Sequence, residues 1–140
     1  MNSPSTKPEF LLLLRGTQLA HRLPANEAQE AMARFTDWFE RFAREGKIKA
    51  GQPLEHEGKI IVGKGSRSTM DGPFAESKEA VGGYVILEVE SLEEAIRIGE
   101  LCPLLDYGSA VEVRPLKGRC ATLAEVRERL AAVPPVVAAA

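Results

Sequence analysis

Phe10-Leu11-Leu12-Leu13-Leu14 is the stretch that decides the fold. Five consecutive large apolar residues do not alternate, so the strand they predict has both of its faces covered. The run is far too short to cross a membrane or to form the apolar centre of a leader. A second strand of the same kind follows at Gly83 to Glu90, with Tyr84, Val85, Ile86, Leu87 and Val89 apolar in both phases. A third, Ser109 to Leu116, puts Val111 and Val113 in one phase and Glu112 and Arg114 in the other.

Two helices fit between these strands. Met32, Phe35, Phe39 and Phe42 recur at spacings of three, four and three, which marks one face of a helix between Asn26 and Gly46. Such a stripe reads as core rather than as a cofactor site. Asn26 with Gln29 forms a weak capping box at its start. Ser91 with Glu94 forms a better one, opening a helix whose predicted buried face is Leu92, Ala95, Ile96 and Gly99 and which Pro103 ends. Lys47 to Leu54 is a weaker strand, and Lys59 to Gly63 a short β-run. Lys64 to Met70 reads as a polar stretch leading to a turn at Asp71-Gly72-Pro73-Phe74.

The order is β-α-β, an inserted β-run, then β-α-β. Right-handed crossovers make this a ferredoxin-like α+β fold with an antiparallel sheet. The expected domain spans residues 9–117. Residues 118–140 add a helix opened by Thr122 and Glu125, then a frayed tail.

Two helices cover one face of a four-stranded sheet. The other face would leave Leu11, Leu13, Tyr84 and Ile86, or their opposites, in water. Full burial of four such side chains is worth roughly 6–12 kcal/mol per subunit, against a docking cost of about 4–15 kcal/mol. The expectation is a homodimer through this open face. The competing cover is the C-terminal helix, whose Glu125, Arg127, Glu128 and Arg129 leave it a narrow apolar side.

Bulk properties set the remaining bounds. The chain has 140 residues, 44% of them hydrophobic and 27% charged, with a net charge of −2, so one domain with a real core is expected. That charge gives no strong basic field for nucleic acid or an anionic membrane. Cys102 and Cys120 form no CxxC pair and read as free thiols of a cytoplasmic protein. His21 and His56 are lone, without partners at metal-ligand spacing, and no metal or cofactor is expected.

Asp71-Gly72-Pro73-Phe74-Ala75-Glu76-Ser77-Lys78-Glu79, then Gly82-Gly83-Tyr84, Ser91-Leu92-Glu93-Glu94-Ala95 and Val111-Glu112-Val113-Arg114-Pro115 together resemble the DGPF branch of the YCII-related family. The resemblance spans about residues 9–117 and implies a dimeric α+β barrel of ferredoxin-like subunits. The broader family is proposed to be enzymatic, since many members carry a histidine and an aspartate near one cleft. DGPF members often accompany extracytoplasmic-function sigma factors, which makes such a factor a possible partner. The family's histidine lies on the first helix; this helix has none between Asn26 and Gly46.

The candidate site is therefore the Asp71 loop. Asp71 either caps the turn by accepting backbone N–H groups or acts as an acid or base at a cleft mouth. Phe74 either pins the loop or walls an apolar pocket between subunits. Glu76 and Lys78 pair in solvent or line the cleft. Gly72 and Pro73 shape the turn, Gly83 allows close packing or ligand approach, and Tyr84 is an interface residue or a ligand contact. Gly63-Lys64-Gly65-Ser66 with Arg67 hints at an anion nest. Three functions follow: a small-molecule-binding or regulatory domain, which a specific loop signature without a complete catalytic set favours; an enzyme using Asp71; or an interaction module for a sigma factor.

Overall fold

The computed structural model describes residues 7–63, 65, 68–71, 80–118 and 122–132. In chain order the elements are β1 (Glu9–Arg15), α1 (Leu19–Arg22), α2 (Ala25–Arg44), β2 (Ile48–Pro53), β3 (Lys59–Val62), β4 (Ser68–Asp71), β5 (Val81–Glu88), α3 (Leu92–Glu100), a 3-10 helix (Pro103–Tyr107), β6 (Ala110–Pro115) and α4 (Leu123–Ala131). Four strands form one antiparallel sheet in the order β2-β5-β1-β6. That order is the ferredoxin-like one, with the two longest apolar strands in the centre. β3 and β4 form a separate two-stranded ribbon inserted between β2 and β5. Among the described residues no helix is long and apolar enough to cross a membrane.

The register explains the unbroken apolar runs. Leu12 lies opposite both Val85 and Val113, and Phe10 opposite Leu87, on the face that the helices cover. Leu12 and Leu87 are fully buried there, and Val85 nearly so. α2 packs on this face through Ala31, Trp38 and Phe42. α3 brings Ala95, Ile98 and Gly99 inward. Gly99 lies so close to β6 that a Cβ there would stand 3.4 Å from Val113 and 3.5 Å from Val111. This seating leaves Leu92 and Ile96 at 37% and 38% exposure, so the predicted face of α3 is rotated: Ile98 takes the inward place assigned to them.

Local signals account for the helix ends. Ser91 Oγ accepts from Glu94 N at 3.2 Å, and the Glu94 carboxylate accepts from Glu90 N at 3.2 Å. Thr122 and Glu125 form a complete capping box. Asn26 caps nothing: α2 begins one residue earlier, at Ala25, behind Pro24, whose carbonyl takes the first helical bond from Ala28 N at 3.0 Å. Proline fixes φ at the entry to the helix and so sets its start ahead of Asn26, with no side-chain cap. Lys64 to Met70 is not uniformly loop, since β4 begins at Ser68 and ends at Asp71, which pairs with Lys59.

The second face carries Leu11, Leu13, Tyr84 and Ile86 in the phase opposite the core. They are half-buried rather than fully wet. The same phase holds Arg15 and Glu112, joined by a 3.0 Å bond from Nε, and Glu9, whose buried carboxylate accepts from Lys49 Nζ at 2.6 Å. Long charged side chains lie with their apolar stems along such a surface. α4 does not cover it: every described residue of α4 is exposed, with Leu123 at 66% and Leu130 at 68%.

Leu12 touches the centre of this arrangement, and Leu12→Ala is expected to cost about 2–5 kcal/mol. Urea unfolding with an unchanged slope is the measurement; a loss under about 1 kcal/mol would mean that the centre of the core is misplaced.

Candidate functional site

A cavity of about 550 Å³ opens between α2 and the end of the sheet where β1 and β2 finish and β5 begins. Its inner wall is Leu14, Leu19, Val85 and Leu104, all nearly inaccessible. Phe35 and Phe39 of α2 form the opposite wall, and Met32, Thr36 and Glu40 rise from it to the mouth. Gly51 to Leu54 and His56 close the side along β2.

The helix geometry explains why an apolar stripe lines a hole. At about 100° per residue, Ala31, Trp38 and Phe42 share one arc that points straight at the sheet. Phe39 and Met32 lie roughly a quarter turn further round. The arc of apolar residues is wider than the sheet contact requires, and its far half borders empty space. Phe42 is core, as its spacing predicts. Met32, Phe35 and Phe39 are cavity wall, and Met32 is 50% exposed.

The cavity floor depends on glycines. At Gly82 a Cβ would lie 1.6 Å from Thr17 Oγ1, so the threonine side chain fills the place of the missing one. β1 and β5 slip register here, with Leu14 opposite Gly83 and Arg15 opposite Val81. At Gly51 a Cβ would stand 2.8 Å from the Phe39 ring. Gly51 thus lets Phe39 lie flat against β2. Main-chain bonds from Leu54 N to Gly82 O (2.9 Å) and from Gly16 N to Ala80 O (3.0 Å) clamp the same end.

One polar pair stands at the rim. Gln18 Nε2 and His56 Nδ1 are 2.7 Å apart. Gln18 is 6% exposed, and its Oε1 is buried without a hydrogen-bond partner. Behind it, Arg22 ties the chain together: Nη1 donates to Tyr107 O at 3.0 Å, and Nη2 donates to Gly16 O and to Ser109 Oγ at 3.3 Å. Ser109 Oγ donates in turn to Gly16 O at 3.0 Å. These bonds hold the segment from Gly16 to Arg22, and with it Thr17, Gln18 and Leu19, against the 3-10 helix.

Of the candidates drawn from sequence, Gly83 and Tyr84 border this cavity. Tyr84 lies in the phase of Leu13 and Gln52, so its side chain belongs to the open face and its main chain to the cavity. Asp71 ends β4 in the ribbon. Gly72, Pro73, Phe74, Glu76 and Lys78 lie outside the described residues, as do Lys64, Ser66, Arg67, Cys120 and the tail from residue 133. The cavity is lined by residues of one chain. His56 is not isolated, and nothing in sequence spacing links it to Gln18, 38 residues away. Among the described residues no group of three or more metal-ligand side chains comes together. Cys102 is buried, and desolvation pushes its thiol up to about 11, away from nucleophilic use.

A ferredoxin-like α+β domain with a cavity under its first long helix is the class that fold and site define. The model of the YCII-related domain matches residues 9–117, and the chain belongs to that family. No curated protein matches it. Among solved structures, it is similar to a 5-chloro-2-hydroxyhydroquinone dehydrochlorinase from Burkholderia phenoliruptrix, in complex with 2,5-dihydroxybenzoquinone. The two are 22% identical over 79% of this chain and 95% of that chain, with a TM-score of 0.46.

Gly82→Ala must displace Thr17 and is expected to destabilise the fold by about 1–3 kcal/mol. Thr17→Ala removes the colliding oxygen, so the double variant should recover part of that loss. Strict additivity in a denaturation cycle would show that the two residues do not touch.

Proposed function

We propose that this chain is a small-molecule-binding, regulatory domain that works as a homodimer, with its ligand site in the cavity under α2. The observation that carries the reading is the cavity itself. Its volume lies within the range of about 300–1,000 Å³ in which small-molecule sites fall. Its walls are mostly apolar, and a few polar groups gather at one rim, which is how such sites combine affinity with orientation. An empty apolar volume of this size costs stability. A bound ligand offsets that cost.

The homodimer reading rests on the open face. Leu11, Leu13, Tyr84 and Ile86 are half-buried there, and α4 leaves them uncovered. Burying the remaining half of four such side chains gains about 3–6 kcal/mol per subunit, or twice that for the pair. The docking cost is about 4–15 kcal/mol, so the balance is met with ordinary complementarity. Tyr84 lies in the strand whose other phase walls the cavity. The pairing surface and the ligand site thus share β5, and such sharing gives a regulatory domain its coupling.

Two measurements test these readings separately. Thr36→Phe places a ring at the mouth while leaving the core untouched. Small apolar compounds that raise the melting temperature of the natural chain should not raise that of this variant. Equal shifts in both would place binding elsewhere. Leu13→Asp puts a charge at the centre of the open face. Sedimentation at micromolar concentration should show the natural chain as a dimer and the variant as a monomer; a natural chain that sediments as a monomer ends the dimer reading.

A further inference from the structure

Resting on the cavity as a ligand site, we infer that its ligand is neutral and largely apolar, and that it carries one hydrogen-bond acceptor, such as a carbonyl oxygen, placed against Nε2–H of His56. The Gln18–His56 contact sets this polarity. An amide nitrogen only donates, so at 2.7 Å from Gln18 Nε2 the ring nitrogen Nδ1 accepts. In the neutral ring the hydrogen then sits on Nε2. The reverse amide orientation would place an NH₂ group where Gln18 Oε1 is now buried without a partner. A buried orphan donor is rarer and costlier than a buried orphan carbonyl, so the first arrangement holds. His56, exposed at the cavity rim, therefore has Nε2–H left to donate to a ligand there.

Charge supplies the second half of the inference. Among the described lining residues there is no lysine or arginine, and Glu40 is the one carboxylate. An anion would meet a like charge at the mouth and, among the described lining residues, no lysine or arginine. Desolvating it without a partner is unfavourable. Glu40, exposed at the mouth, adds a repulsion that disfavours carboxylates and phosphates and does not act on neutral ligands. The aromatic pair Phe35 and Phe39, with centroids 6.4 Å apart and planes tilted by 36°, gives an aromatic ligand a wall to pack against.

Three probes of nearly one shape separate the contributions: an acetylnaphthalene, the isopropenylnaphthalene that replaces its oxygen by carbon, and the corresponding naphthoate. Calorimetry in one buffer at a single fixed pH compares the three. The ketone should bind roughly three- to tenfold more tightly than the alkene, the worth of one neutral hydrogen bond. The naphthoate should bind most weakly. In His56→Phe the ketone should fall to the alkene's affinity while the alkene is unchanged. Ketone and alkene binding equally to the natural chain would overturn the role of His56 and leave the cavity reading standing. A naphthoate that binds best would overturn neutrality. Failure of all three to bind would remove the cavity reading itself, and this inference with it.

Discussion

The Trp38 indole nitrogen donates to the Ile98 carbonyl at 3.1 Å in the middle of the core, and the rest of the site depends on where that bond holds α2. A buried indole N–H needs an acceptor. The carbonyl it finds lies in the last turn of α3 and also accepts from Leu101 N at 3.2 Å. α2 and α3 are thereby pinned side by side over the inner strands. α2 is 20 residues long and cannot also slide outward over the end of β2 and β5. Phe39 leans across to meet Gly51, but between Phe35, Phe39 and the strand ends the volume stays open. The cavity is the consequence of a helix fixed at one place and too far away at another.

Much of the architecture was legible in the residues. Two long apolar strands, one amphipathic helix after each and two Ser/Thr–Glu capping boxes sufficed for element order and sheet class, because those signals are local and periodic. The misses have a common cause. The Asn26 box lost to Pro24, two residues earlier. Leu92 and Ile96 lost their buried places because the small Ala95 and Gly99 let α3 approach β6 along a different line. In both cases a geometric fit between neighbours overrode a pattern that was real in the chain.

The site was less legible, for a deeper reason. A cavity is space that no residue fills, and periodicity reports which side chains are apolar, not whether something touches them. Met32, Phe35 and Phe39 carry the same signal as Phe42, yet only Phe42 is fully buried; Phe35 and Phe39 pack against the core's edge and Met32 is exposed. His56 and Gln18 meet because β2 and the turn after β1 end on the same side of the sheet, a relation that appears only once the strands are paired. The Gly82-Gly83-Tyr84 run did mark the right end of β5. Its glycines admit Thr17 and the close packing of β2, and that packing forms the cavity floor.

The same end of the sheet links the cavity to the loop that carries the family signature. The inserted segment leaves β2 at Leu54 and returns at Ala80, and both points are held by main-chain bonds, Leu54 to Gly82 and Ala80 to Gly16. His56 lies two residues beyond the first point, and β5 begins one residue beyond the second. The β3–β4 ribbon carries Ile60, Ile61 and Val62 at 44%, 68% and 46% exposure, and among the described residues it pairs with no strand of the main sheet. A two-stranded ribbon has little stability of its own. Of these bonded residues Leu54 and Gly82 also border the cavity, so the root of the insertion on the β2 side is cavity wall.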